Sequence, residues 1–270
     1  MGELRLSEIW IYPIKGLGGI RLNHSKILEK GLEYDRRWML VDDQGVFMTQ
    51  RNNPEMALLK MKIENGEFKI IHSRQSTDHS ILLQPAKLEA EQRVQIWDDF
   101  VMAHEQSKES SAWFSDVLGE KCKLVYFPEG NARPVDLRYH VNNEHVSLAD
   151  GYPFLIIGQG SLNFLNSKLD QPIPMNRFRP NFVFTGGEPH EEDAWRNFTI
   201  GTNRFVGVKP CARCAVPTIN QDTAEKGIEP TKTLATYRKK ENKIFFGQNV
   251  IAVDHHEIQV GDLITIQSRS

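Results

Sequence analysis

Turn signals interrupt this chain so often that its regular structure has to be short, and short apolar runs between turns point to β-sheet. Asp42-Asp-Gln-Gly45 separates Trp38-Met-Leu-Val41 from Val46-Phe-Met-Thr49, a hairpin signal. Asn65 and Gly66 separate residues 58–63 from residues 68–71, and Asn-Gly supplies the positive φ angles of a type I′ turn. Leu4, Leu6, Ile9 and Ile11 mark an opening strand that runs into the glycine-rich stretch 12–19. Residues 81–83 and 94–102 are further strand candidates. Many short strands with regular turns read as a barrel or a sandwich.

The period then changes. Trp113 and Val117 stand one helical turn apart within residues 110–118, with Phe114 and Leu118 beside them, and Gly119 ends the helix. Residues 123–128 resume strand character. The polar, Gly/Pro-bearing stretch 128–134 is the expected domain boundary, giving domains at 1–127 and 128–270. In the second half, residues 153–157 read as a buried strand. Residues 161–169 read as a helix with Leu162, Leu165 and Leu169 inward. Strands are expected at 181–185 and 198–208, on either side of the acidic loop 188–193, and again at 244–253 and 262–266. The expected fold class is mainly β with short helices (α+β).

Two of the three cysteines, Cys211 and Cys214, lie together on a loop that also carries Lys209 and Arg213. Nearby cations lower a thiol's pKa, so the chemistry on offer is that of a thiolate: a soft-metal ligand, a redox pair or a nucleophile. A structural zinc site needs four ligands. Cys122 stands alone, and His255 and His256, as strand neighbours, should point to opposite faces. A thioredoxin-like pair would open a helix, whereas Val216, Pro217, Thr218 and Ile219 favour a strand or loop. Two inert buried cysteines remain the plain alternative.

Four basic positions stand apart in the chain. Lys15 follows a strand in a loop whose glycines let backbone N–H groups approach an anion, although the same glycines serve any tight turn. Arg36 and Arg37 precede the Trp38 strand and should point to opposite faces. Pro180 should hold Arg179 extended, with a fork suited to phosphate, and Asn181 adds a donor and an acceptor. Arg213 is the fourth. In a nearly neutral protein these suggest a polyanionic ligand such as a phosphorylated cofactor. Asp150 before Gly151 is a candidate acid, though Asp-Gly is first of all turn chemistry.

Composition removes several classes. With 40% hydrophobic and 25% charged residues and a formal net charge of −2, neither nucleic acid nor a membrane surface is expected as partner. Three cysteines fit a reducing compartment, and neither a signal-peptide core nor a membrane-length apolar run is present. A cytoplasmic location is expected.

Together Tyr12-Pro-Ile-Lys-Gly, Gly31-Leu-Glu-Tyr-Asp-Arg-Arg-Trp, Thr49-Gln-Arg, Pro153-Phe-Leu-Ile, Phe178-Arg-Pro-Asn, Asp193-Ala-Trp, Cys211-Ala-Arg-Cys and Phe246-Gly-Gln resemble the MOSC family. The resemblance spans almost the whole chain, and it is to the two-domain type that includes the mitochondrial amidoxime-reducing component. It implies an N-terminal β-barrel domain followed by a barrel-like MOSC domain, and a molybdenum–pterin cofactor. On the same basis Cys214 would be the protein thiolate on molybdenum. Lys15, Arg36 and Arg179 would hold the pterin, with Gly16, Asn181, Ala212, Arg213 and Asn249 around it. Arg213 and Asp150 would join Cys214 at the reacting centre, Arg213 steadying the thiolate. Gly16 stands where many relatives have serine, and Asn249 where the mitochondrial proteins have tyrosine.

The activity implied is reduction of N-hydroxylated compounds. The chain shows no iron–sulfur spacing, dinucleotide fingerprint or haem motif, so electrons are expected from a separate protein of the ferredoxin or flavin-reductase type. The protein is expected to be a monomer. Two other roles fit the same residues: a sulfur carrier using a Cys214 persulfide, and a non-catalytic carrier or store of the cofactor.

Overall fold

Strand pairing ties the beginning of the chain to its end. The structure, a computed structural model, describes residues 2–269. The first half contains β1 (Arg5–Ile11), β2 (Ile14–Lys15), β3 (Ile20–Leu22), β4 (His24–Leu28), β5 (Gly31–Leu32) and β6 (Trp38–Val41). It continues through β7 (Leu59–Glu64), β8 (Glu67–His72), β9 (Asp78–Leu82), β10 (Glu91–Ile96), β11 (Asp99–Glu105), helix α1 (Lys108–Leu118) and β12 (Lys123–Tyr126). The second half opens with β13 (Phe154–Gly158), α2 (Gln159–Asn166), β14 (Phe182–Thr185), β15 (Trp195–Ile200) and β16 (Asn203–Ala212). It closes with α3 (Thr231–Ala235), β17 (Lys239–Lys240), β18 (Lys243–Ala252), β19 (Glu257–Gln259) and β20 (Ile264–Arg269). The mainly β architecture with short helices is the one expected. No helix among the described residues is long and apolar enough to cross a membrane.

The largest sheet runs β20-β15-β16-β18-β13-β14-β1-β3, with β17 paired to β18. Its last two strands come from the first half. β1 pairs antiparallel with β14, with Ile9 opposite Phe182, and β4 pairs with β19. The division expected at 127/128 therefore separates two stretches of chain whose sheets are continuous. One apolar cluster extends from Ile9, Ile11 and Trp38 to Phe154, Phe182 and Trp195, all fully or almost fully buried. Burying each large apolar side chain contributes about 1.5–3 kcal/mol. Edge-to-face and stacked contacts such as Phe154–Phe182 at 5.4 Å between centroids add to that.

A second sheet runs β10-β11-β12-β6-β2. In it Lys15 lies opposite Met39 in parallel pairing, which fixes the exit of the glycine-rich loop. α1 begins where the Ser107 hydroxyl accepts the Ser110 N–H at 3.0 Å and ends at Gly119 with φ +64°.

Three expected single strands are otherwise. Residues 46–49 make only isolated bridges from Val46 and Phe47, because the next residues turn toward Gln50 and the cleft described below. Residues 94–102 are a hairpin that reverses at Trp97 and Asp98 between β10 and β11. Residues 198–208 reverse at Gly201, whose φ of +58° permits the β15–β16 turn. His255 and His256 are not strand neighbours; both are exposed in the connection between β18 and β19.

A cationic cleft between the two halves

The cleft is built outward from one ring. Tyr12, fully buried after β1, donates its hydroxyl to the Pro180 carbonyl at 3.2 Å. The guanidinium groups of Arg36 and Arg179 lie over its face at 4.4 and 4.2 Å from the centroid. Burial pushes the Tyr12 phenol up to about 12, against the pull of the two arginines. Below the ring, Asp35 accepts the Tyr12 N–H at 2.8 Å and the Arg36 Nη1 at 2.6 Å. Arg37 turns to the other face, where it pairs with Glu129 and its Nη1 donates to the Asp35 carbonyl at 2.7 Å.

Both cleft arginines occupy the left-handed region, Arg36 at φ +51° and Arg179 at φ +56°. For Arg179 this corrects the expectation of an extended residue before Pro180. Its Nη1 donates to the Leu17 carbonyl at 2.6 Å, and Arg36 Nη2 donates to the Arg179 carbonyl at 3.2 Å. Such long-range bonds hold a conformation that the local sequence disfavours, at a cost of order 1–3 kcal/mol per residue. Desolvation lowers the Arg179 guanidinium to about 10, so removing it from water has a price that an arriving anion relieves.

Lys15 and Asp150 meet across the cleft at 2.5 Å, and the Trp97 Nε1 donates to the same carboxylate oxygen at 3.2 Å. The Asp150 side chain is exposed, and Lys15 and Trp97 hold its carboxyl below the usual carboxylate range. Desolvation lowers Lys15 in turn, with Asp150 resisting. Gly16 has φ +87°, and a Cβ there would meet Met56 at 2.6 Å. Its carbonyl accepts from Gln50 Nε2 at 2.6 Å. Gln50 also exchanges two amide hydrogen bonds, 3.0 and 2.9 Å, with Gln221 on the segment after Cys214.

The cysteine loop leaves β16, whose pairing with β18 shifts register between Pro210 and Ala212. Asn249 on β18 donates to the Lys209 carbonyl at 3.0 Å and fastens that exit. Cys214 is exposed and Cys211 half-buried. Arg213 donates through Nη1 to Cys211 Sγ at 3.1 Å and through Nη2 to the Phe178 carbonyl at 2.8 Å. The arginine expected to steady Cys214 thus rests on the other cysteine. Arg213 Nε is buried without a hydrogen-bond partner among the described residues.

Lys15, Gly16, Arg36, Asp150, Arg179, Asn181, Ala212, Arg213, Cys214 and Asn249 all line one cleft of about 300 Å³. Not all of them face it with free groups. Asn181 is buried with its oxygen accepting from Arg36 and the Leu155 N–H and its nitrogen donating to the Trp10 carbonyl, so it orients Arg36. Tyr12, Gln50 and Gln221 were not singled out for roles from sequence, though Tyr12 and Gln50 sit in motifs quoted above. Arg51 also sits in one of those motifs, whereas Trp97, also in the cleft wall, gave no signal.

Six cations, Lys15, Arg36, Arg51, Arg179, Lys209 and Arg213, share the lining with a single carboxylate, Asp150. That imbalance within a chain of formal charge −2 gives the cleft a positive field that favours an anion. No group of three or more His, Cys, Asp or Glu among the described residues is placed to hold a metal ion. A metal bound here would bring most of its ligands with it, leaving the protein to add a thiolate.

Residues 3–121 match the MOSC N-terminal beta barrel domain and residues 143–265 match the MOSC domain. The chain belongs to the MOSC family. Among similar proteins is a molybdenum cofactor sulfurase of Oryza sativa subsp. japonica, 27% identical over 288 residues, covering 100% of this chain and 35% of the relative. The chain thus spans about a third of that protein. The mitochondrial amidoxime-reducing component 1 of Mus musculus is 27% identical over 275 residues, covering 95% of this chain and 80% of the relative. A solved structure, the YUAD protein from Bacillus subtilis, aligns over 97% of this chain and 94% of its own at 10% identity, with TM-score 0.44. At that level it adds nothing to the fold described above.

Proposed function

We propose that this MOSC protein binds a molybdenum–pterin cofactor in the cleft and reduces N-hydroxylated compounds with electrons from a separate donor protein. The observation that carries the reading is the convergence of an anion cradle and a reachable thiol on one cleft lined by six cations and one carboxylate. Bound there, the group would supply two-electron oxygen-atom transfer from an N–O bond. Relatives named for amidoxime reduction, of similar length, support the choice of activity.

The residues take distinct parts. Arg36 and Arg179, stacked on Tyr12, present charge to the pterin phosphate, and arginine forks suit its oxygens in pairs. Lys15 adds a third cation, and Asp150 is its counter-ion. Held ionised by Lys15, the Asp150 carboxyl has no proton to give at neutral pH, so it acts by orienting Lys15 and Trp97. Cys214 is the thiolate for the metal. Arg213, on Cys211, sets the loop's position and supplies positive charge beside it. The substrate's leaving oxygen takes its protons from water at the exposed mouth.

The test is metal analysis of the purified protein with fluorescence detection of released oxidised pterin, followed by turnover of an amidoxime with reduced methyl viologen. Near-stoichiometric molybdenum with amidine formation supports the reading; full molybdenum without turnover leaves a cofactor carrier. NADH alone should give no product. A second reading, sulfur transfer through a Cys214 persulfide, is favoured by the exposure of Cys214, which a donor enzyme can reach. Trapping that persulfide by alkylation after incubation with a cysteine desulfurase distinguishes the two.

A further inference from the structure

Two cations of the cleft lining, Arg51 and Lys209, make no ion pair among the described residues. Arg51 uses Nε on the Thr49 hydroxyl at 3.2 Å, while its Nη1 and Nη2 meet no hydrogen-bond partner among the described residues. Its guanidinium lies over the Trp97 indole at 4.3 Å from the centroid. Lys209 lies over the Tyr139 ring at 4.5 Å, with no ion pair within 4 Å among the described residues. The carboxylate that senses Lys209, Asp136, is already chelated by Arg138 at 2.6 Å. The deeper cations are differently placed: Lys15 is matched by Asp150 and Arg36 by Asp35, and Arg179 sits against Tyr12.

Trp97 sits at φ +55° in the β10–β11 turn, a conformation rare for a bulky residue. It is fastened there by its bond to Asp150 and by a tilted contact with Phe47 at 5.0 Å. The turn thereby sets an aromatic wall, with Arg51 stacked on it, in the lining that also contains Cys214. A phosphate monoester carries a charge of about −1.5 to −2. Arg36 and Arg179 on Tyr12, with Lys15, form the part of the cleft suited to such a group, and the charged ends of Arg51 and Lys209, over Trp97 and Tyr139, are not part of it.

We propose that the cleft mouth selects substrates that carry an anionic group, a carboxylate or phosphate, on the same planar framework as the N–O bond, and that Arg51 and Lys209 recognise it. This rests on the reductase reading above and adds its substrate class. An anion at the mouth gains two charged donors in a partly desolvated setting, whereas a fixed cation is repelled by both. Specificity then resides in binding, and appears in KM rather than in kcat.

The test uses molybdenum-loaded protein and three compounds: benzamidoxime, its 4-carboxy derivative and its 4-trimethylammonio derivative. Binding is measured by calorimetry without reductant, then turnover with reduced methyl viologen. The carboxylate should bind about tenfold more tightly than the neutral compound, as one charge-assisted hydrogen bond predicts, and the cation more weakly than either. Raising the salt should compress the ranking. Arg51→Gln and Lys209→Gln, made separately because neither charged end has an ion-pair partner, should each shrink the preference for the carboxylate through KM. Equal affinity for all three compounds overturns the proposal, and so does a preference that survives in both variants. If no compound turns over despite full molybdenum, the reductase reading fails, while the calorimetric ranking still decides the charge preference of the mouth.

Discussion

The cleft and the base of α2 both enclose charged side chains, in opposite ways. At the base of α2, Glu192 is fully buried, with its carboxylate accepting from the Gly158 N–H at 3.2 Å and the Ser161 hydroxyl at 2.9 Å. It caps the helix from outside and has no cation bonded to it among the described residues. Burial therefore pushes its carboxyl up to about 7. Asp150 in the cleft moves the other way because Lys15 stands beside it. Glu192 is buried without a bonded cation among the described residues, whereas Asp150 is exposed beside one, and the neighbouring charge decides the sign. The base of α2 uses its charge on its own chain. The cleft keeps cations in excess and two arginines in strained backbone, an arrangement that an anion would stabilise.

If that contrast is right, changes in the cleft should show in ligand and metal, and changes at Glu192 in stability. The largest effect is expected at Cys214. Cys214→Ser should lose molybdenum and all activity, whereas Cys211→Ser keeps the metal and most turnover, measured by metal analysis and methyl viologen assay. Equal losses would point to a dithiol redox pair.

Next in size is Glu192→Gln. The raised folded pKa, about 7 against a reference of 4.5, means the folded state binds the proton more tightly than the unfolded state. Stability from this group is full below about pH 4.5 and is lost as pH rises toward 7, a total of about 3 kcal/mol. Glu192→Gln should flatten that part of the denaturant-derived stability curve and stabilise the protein at pH 8, with cofactor content unchanged. A slope that persists in the variant would sink the assignment.

Arg179→Lys keeps a charge and loses the fork. Pterin retained after dialysis should fall roughly ten- to hundredfold in affinity, about 1.5–3 kcal/mol. Full retention would mean other residues hold the phosphate. The smallest effect is expected from the amide pair that joins the lysine loop to the cysteine loop. Gln50→Leu and Gln221→Leu should each cost about 1–2 kcal/mol and together less than the sum, since either one breaks both bonds. Strict additivity would show the bridge to be unimportant.

Much of this was legible in the chain itself. The Asn65-Gly66 turn, with φ of +52° and +79°, is written in two residues that tolerate the left-handed region. Helix α1 ends at Gly119 for the same local reason. Chemistry-bearing residue types also announce themselves: a basic loop with two thiols, and arginines in isolated motifs of an otherwise balanced composition. Their common destination did not follow from any of these. Lys15, Arg36, Asp150, Arg179 and Cys214 share a cleft because β1 pairs with β14 and β2 with β6, and pairings between segments so distant in sequence leave no local trace. Arg179 shows the limit most clearly. Before a proline its own sequence favours an extended backbone, yet bonds to Leu17 and Arg36 and the Tyr12 ring turn it to φ +56°. The choice of Arg213 for Cys211 over Cys214 is of the same kind, since both thiols are close in sequence and only the path of the chain out of β16 brings one within 3.1 Å. Short-range sterics fix turns and caps, while the direction of a charged side chain is settled by whichever distant partner the completed sheets bring to it.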